Sequence, residues 1–241
     1  AQCLVGSEMC IRDSYYTEVV IDDVINDLMQ LKGISRETAQ TLLYNGGYNV
    51  YTCLDTNVQN SIDAIYQDLS AIPSTWGSDQ QLQSSIVIMD PYDGRILGLS
   101  GGVGEKTINF GLNRATGTKR PPGSSIKPVA SYGPAIDLGL ITPDTSVQDS
   151  PNMVLKGTDW FPANDGNNYY GVVSIYTALQ LSLNTVAAQI VDILPDGPQT
   201  SYDYLVNHLG FTSLNPEHDI SYAPMALGQF YDGCTVREMS P

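Results

Sequence analysis

The chain has 241 residues, 42% of them hydrophobic, enough for one domain with a real core plus a flanking segment. Its formal net charge of −15 argues against a nucleic-acid partner. No run approaches the roughly 18 apolar residues of a membrane span, and no signal peptide is recognisable.

Residues 8–14 read Glu-Met-Cys-Ile-Arg-Asp-Ser, which looks like a translated transposon-end sequencing adaptor, so residues 1–14 are set aside from the fold. Val20, Ile21, Val24, Ile25 and Leu28 recur at helical spacing and predict an amphipathic helix ending near Gly33. Ser35 predicts the cap of a shorter helix that stops at Asn45-Gly46-Gly47. Residues 48–52 alternate like a strand. Asp55 predicts the cap of a third helix with Val58, Ile62, Ile65 and Leu69 on one face. Residues 71–83 are rich in Pro, Ser, Gly and Gln and read as a linker. Residues 85–90 and 95–100 predict a hairpin across Pro91-Tyr92-Asp93-Gly94. Gly101-Gly102-Val103-Gly104 lacks the Gly-Lys-Ser/Thr of a phosphate loop and reads as a flexible loop. Residues 139–171 are long and irregular, as a cleft wall is. Trp160, Phe161, Tyr169 and Tyr170 within it form a local aromatic cluster or line a substrate. There are no internal repeats.

The chemistry concentrates at Gly123-Ser124-Ser125-Ile126-Lys127-Pro128. A serine hydroxyl needs an adjacent base to act as a nucleophile, and positions i and i+3 share a helix face, so the Lys127 amine can lie beside Ser124. At a helix start the serine also meets free N–H groups and the positive dipole end, which favour an oxyanion. The helix is predicted to run through Val129, Ala130, Tyr132, Ala135 and Ile136 to Gly139, with Pro128 in its first turn. The competing reading is a helix cap followed by a solvated lysine. Some 55 residues on stands Ser182-Leu183-Asn184, between helix-like runs at 175–181 and 185–194. A tight junction there can project both polar side chains into a cleft. Ser-x-x-Lys followed by Ser-x-Asn is the order of penicillin-recognising serine enzymes. Ser213-Leu214-Asn215 also fits Ser-x-Asn, but lies between Gly210 and Pro216 and reads as a turn.

The remaining polar chemistry is sparse. His208 and His218 read as surface residues without zinc spacing, and no nucleophile elbow supports a triad. Lys127 is then the candidate base, and burial or a second cation would have to lower its pKa. Cys3 and Cys10 fall in the adaptor-like stretch. Cys53 and Cys234 can pair or stay buried as thiols, and the buried thiols are favoured.

Arg114-Ala115 and Lys119-Arg120-Pro121-Pro122-Gly123-Ser124-Ser125-Ile126-Lys127-Pro128 resemble the active-serine region of class A penicillin-binding proteins, which join a glycosyltransferase to a transpeptidase domain. Asn45-Gly46-Gly47-Tyr48-Asn49-Val50-Tyr51-Thr52-Cys53-Leu54-Asp55 is similar to the segment joining those domains. Residues 85–99 resemble the first transpeptidase hairpin. Pro162, Asn164, Tyr170-Gly171 and Val173-Ser174 lead into Ser-x-Asn as in the family, and Met225-Ala226-Leu227-Gly228 and Val236-Arg237-Glu238-Met239 resemble the stretch before its next helix. The family's Lys-Thr-Gly strand has no match here, which reads as truncation.

The resemblance implies an α/β penicillin-binding transpeptidase fold, serine β-lactamase-like, an antiparallel sheet with helices cut before the Lys-Thr-Gly strand. It divides the chain into 1–14 (adaptor), 15–72 (inter-domain linker region) and 73–241 (N-terminal part of the transpeptidase domain). It implies a peptidoglycan D,D-transpeptidase acylated by β-lactams, with Ser124 as nucleophile, Lys127 as base, Ser182 as proton relay, Asn184 as substrate holder and Ser125 lining the cleft. Its partners are stem peptides, β-lactams and an upstream glycosyltransferase domain, with no nucleic acid, no metal and no organic cofactor. Its location is the extracytoplasmic face of a bacterial membrane, with the anchor outside these residues. The alternatives are a serine β-lactamase, for which no Glu-x-x-x-Asn element follows Ser182, and a non-enzymatic penicillin-binding sensor or scaffold.

Overall fold

The computed structural model describes residues 14–240. Of the adaptor-like residues 1–14, residues 1–13, with Cys3 and Cys10, lie outside the described residues, while Ser14, set aside with them, caps the first helix. The chain divides into two compact units, one reaching to Thr118 and one running from Lys119 to Met239.

The first unit begins with helices whose ends are set by short polar side chains. Helix α1 (Tyr15–Lys32) starts where Ser14 accepts a bond from the Thr17 N–H, and ends at Gly33, which takes the left-handed φ of 62°. Its buried residues split into two groups. Tyr16 and Val19 pack with Leu99 and Ala115, while Ile21, Ile25 and Leu28 pack on Ala39 of α2 (Arg36–Asn45). Helix α3 (Thr56–Gln67) is capped by Asp55 as its sequence predicts. Its buried face differs from the expected one. Ile62 is buried, but Ile65 and Leu69 are 59% and 51% exposed. The polar Gln59 is buried instead, because its amide acts as a strand would: it accepts from Leu99 N–H and donates to Leu99 C=O, both at 3.0 Å.

The hairpin forms as expected from β1 (Ile86–Met89) and β2 (Ile96–Ser100), antiparallel, with a register shift at Ile88/Met89. A short helix α4 (Arg114–Gly117) follows. Two expectations fail here. Residues 48–52 form no strand. Alternation supplies a face, but a strand also needs a ladder partner, and the backbone bond to the hairpin comes just after this stretch, from Asp55 N–H to Leu97 C=O at 2.9 Å. The Gly101-Gly102 stretch is packed tightly: both glycines are buried, and a Cβ on Gly101 would fall 2.2 Å from Asn113 Oδ1. Close approach is why glycine stands there.

The second unit is built around α7 (Asn184–Ile193), which buries Val186, Ala187, Ala188, Ile190 and Val191. A helix apolar on most sides belongs in a core. Around it pack α5 (Gly133–Asp137), α6 (Ile175–Gln180), α8 (Pro198–Asn207) and α10 (Tyr222–Leu227), with the small α9 (Pro216–Asp219). The irregular stretch 139–171 turns out to hold half of a second hairpin: β3 (Ser146–Asp149) pairs antiparallel with β4 (Gly171–Ser174). Trp160 and Phe161 pack partly buried against the core, while Tyr170 is 53% exposed.

Candidate active site

The serine segment is helical but not one regular α-helix. Gly123–Ile126 forms a 3₁₀ turn, Pro128–Tyr132 a π turn, and α5 follows. The prolines explain this. Pro134 has no N–H for the carbonyl of Ala130, four residues back. That carbonyl accepts from Ser201 Oγ at 2.6 Å instead, and Gly133 N–H bonds Pro128 C=O across five residues. In a 3₁₀ turn side chains at i and i+3 eclipse, so Ser124 and Lys127 share a face, and Lys127 N–H bonds Ser124 C=O.

Two glycines hold this segment from the far end of the chain. Gly123 N–H donates to Gly228 C=O at 3.3 Å, and Arg120 and Cys234 exchange backbone bonds of 3.0 and 2.9 Å. A Cβ on Gly228, at φ 68°, would sit 2.2 Å from Gly123 O, and one on Gly233 would sit 2.2 Å from Arg120 C. No side chain fits at either contact.

Lys127 is 1% exposed, which removes the reading of a solvated lysine. Its ammonium donates to Ser182 C=O at 2.7 Å, Ser182 Oγ at 3.2 Å and Asn184 Oδ1 at 2.6 Å. These three acceptors match the three N–H bonds of a charged lysine. Burial opposes that charge and pulls the amine down to about 8. The group therefore sits near the point where it gains or loses a proton at neutral pH. Ser124 is exposed, and among the described residues its hydroxyl has no hydrogen-bond partner. Ser125 is exposed as well, and its hydroxyl proton is committed to Pro122 C=O at 2.7 Å.

The Ser-x-Asn segment is the expected junction between helices α6 and α7. Ser182 takes φ 54°, a left-handed conformation uncommon for a residue with a side chain. Such strain persists only where surrounding bonds hold it. Lys127 supplies one hold at the Ser182 carbonyl. Asn184 is tied on both sides, since its Nδ2 donates to Ala163 C=O at 2.9 Å while its Oδ1 faces Lys127. The rival Ser213-Leu214-Asn215 is structural: Ser213 is buried with its hydroxyl on Glu238 Oε2 at 2.7 Å, and Asn215 caps α9.

These bonds join an exposed serine, a buried lysine three residues on, and a Ser-x-Asn turn that the lysine grips. Residues 84–213, more than half of the chain, match the model of the penicillin-binding protein transpeptidase domain. The chain belongs to that family. It is 32% identical over 228 residues to penicillin-binding protein 1A of Clostridium perfringens (strain 13), covering 90% of this chain and 33% of that protein. It is 32% identical over 198 residues to penicillin-binding protein 4 of Bacillus subtilis (strain 168), covering 82% of this chain and 29% of that protein. The chain thus spans about a third of the length of these relatives. Among solved structures, that of PonA1 from Mycobacterium tuberculosis in complex with penicillin V aligns with a TM-score of 0.65 at 23% identity, covering 92% of this chain and 56% of that one. At that identity the likeness is one of fold, and the transpeptidase fold class is the expected one.

The sequence alone leaves out two contributors, Gly233 and Asp149, and gives two others, Gly228 and Asn164, a place in the resemblance but no role. The glycines carry no chemical signal, because their role is close approach. Asp149 and Asn164 lie outside both motifs, and their bonds show what they do. The thiol expectation holds in half: Cys234 is buried and pushed up to about 12, first by burial and then by Glu238, but Cys53 is exposed. Both histidines are exposed and stack on tyrosines, His208 on Tyr204 and His218 on Tyr231.

Proposed function

We propose that the complete protein is a peptidoglycan D,D-transpeptidase acylated by β-lactams. The observation that carries the proposal is the buried Lys127, which bridges the segment of the exposed Ser124 to both polar residues of the Ser182-Leu183-Asn184 turn. Neutral Lys127 takes the proton from Ser124 Oγ as that oxygen attacks the penultimate D-Ala carbonyl carbon. The peptide C–N bond breaks as Ser182 Oγ passes its proton to the departing D-Ala amine and takes in its place the proton held on Lys127, 3.2 Å away, which leaves Lys127 neutral again. A serine ester remains. An amine of a neighbouring stem peptide attacks it, the new amide forms, and the proton returns to Ser124.

Asn184 retains one N–H and a lone pair for the substrate backbone, and the exposed Ser125, whose oxygen can still accept, would line the cleft. The Lys-Thr-Gly strand of the family would supply a second oxyanion N–H and the carboxylate contact. Residues 15–72 would be the inter-domain segment and 73–241 the first part of the transpeptidase domain. The membrane anchor and glycosyltransferase domain would belong to the complete protein, with this domain on the extracytoplasmic face.

The test is intact-mass analysis of the full-length protein with penicillin, together with D-Ala release from a stem-peptide donor. The expected result is one stoichiometric adduct on Ser124, absent from Ser124→Ala. Rapid release of hydrolysed drug would point to a β-lactamase, and an adduct on another serine would move the nucleophile.

A further inference from the structure

Helix α7 opens on Leu183, which offers no side-chain cap. Its first N–H groups are nevertheless satisfied, from a residue 20 positions upstream. Asn164 Oδ1 accepts from Asn184 N–H at 2.8 Å and from Thr185 N–H at 3.2 Å. This is an N-cap supplied from another part of the chain.

Asn164 is itself fixed. Its Nδ2 donates to Asp149 Oδ1 at 2.8 Å and to Asn168 C=O at 3.0 Å. A carboxylate and a carbonyl accept and cannot donate, so the amide cannot be turned over without losing both bonds. Asp149 is 1% exposed and also takes the Thr185 hydroxyl and Tyr170 N–H. The same logic fixes Asn184. Its Nδ2 is held by Ala163 C=O, so its Oδ1 must point at Lys127. A continuous set of bonds therefore runs from buried Asp149 through Asn164 to the turn carrying Ser182 and Asn184.

We propose that Asn164, backed by Asp149, is a positioning residue for acylation: it caps α7 from outside both motifs and holds Ser182 and Asn184 against Lys127. The inference rests on the transpeptidase reading. It explains how Ser182 keeps a left-handed backbone at the end of a short helix: the turn is clamped on one side by Lys127 and on the other by the capped start of α7.

The test measures second-order acylation rates with a fluorescent penicillin in the full-length protein, per molecule able to react at saturation. Wild type is compared with Asn164→Ala, Asn164→Asp and the exchanged pair Asp149→Asn with Asn164→Asp. Misplacement of catalytic groups by about 1 Å can cost about 10²-fold, and a loss of that order is expected for Asn164→Ala. Asn164→Asp keeps the cap oxygen but sets a second carboxylate against Asp149. It should also be slow, and the exchanged pair should recover at least about tenfold, since the donor then comes from position 149. Freeing Asn184 removes an acceptor from the lysine ammonium, so the midpoint of the pH–rate profile should move to lower pH in Asn164→Ala.

A merely structural role would lower the melting temperature and the yield of reactive protein, but leave rate and midpoint alone. Variants that acylate within twofold of wild type with an unmoved midpoint overturn the inference. Should Asn164→Ala fail to fold, the exchanged pair decides: recovery over Asn164→Asp supports the inference, and equal rates overturn it. A wild type that takes up no penicillin on Ser124 overturns the transpeptidase reading and the inference with it. A labelled wild type beside unaffected variants overturns the inference alone.

Discussion

The pH dependence of acylation is the sharpest consequence of the buried lysine. Burial draws the Lys127 amine from 10.5 to about 8. That change corresponds to about 3 kcal/mol against the charged form, at 1.36 kcal/mol for each pH unit. At pH 7 a free lysine would be neutral in only about 0.03% of molecules, whereas Lys127 is neutral in about 10%. If neutral Lys127 is the base, the second-order acylation rate should rise about tenfold for each pH unit below 8. It should reach half its plateau near pH 8 and gain about another twofold above. The sign follows from which form accepts a proton: raising pH removes the proton that blocks the lone pair. Lys127→Arg keeps the charge but cannot deprotonate, so its rate should collapse at every pH and show no such rise. The assay is stopped-flow or gel-based labelling by a fluorescent penicillin from pH 6 to 9. A flat profile in wild type, or a rate that falls as pH rises, would refute the reasoning, as would near-normal acylation by Lys127→Arg.

Ser213→Ala should leave penicillin labelling in place, because Ser213 bonds Glu238 and not the lysine. Loss of that charge-assisted bond should lower stability by about 1–3 kcal/mol in chemical denaturation. Gly228→Ala should slow acylation at least about tenfold and cost about 1–3 kcal/mol, since the new methyl meets Gly123 O at a left-handed position; a normal rate would mean the serine turn is not held there. Burial alone would raise the Glu238 carboxyl, but the Thr235 and Thr212 N–H groups and the Ser213 and Thr212 hydroxyls outweigh it and hold the group at about 2. Its folded pKa is thus depressed, so the stabilisation is full above about 4.5 and is lost as pH falls toward about 2. Glu238→Gln should therefore be less stable than wild type at pH 7, by up to about 3 kcal/mol, with the gap closing in acid melts.

The sequence by itself determined whatever depends on local spacing. Ser35 and Asp55 start helices because their oxygens reach N–H groups two or three residues away, and Gly33 ends one because it tolerates a left-handed backbone. The hairpin at 86–100 follows from its turn residues and apolar runs. Ser124, Lys127, Ser182 and Asn184 were legible because their chemistry is tied to residue type and short spacing. The tertiary structure alone decided three things. It chose Gln59 over Ile65 and Leu69 for burial, because the edge of β2 needed an amide partner. It left residues 48–52 without a strand, because alternation does not provide a ladder. It recruited Asn164 and Asp149 to the start of α7, because a helix without its own cap takes acceptors from wherever the fold brings them. Spacing reports what neighbours along the chain can do. The burial of Lys127, which sets its proton affinity, and the grip on Ser182, which sets its backbone, come from residues distant in sequence.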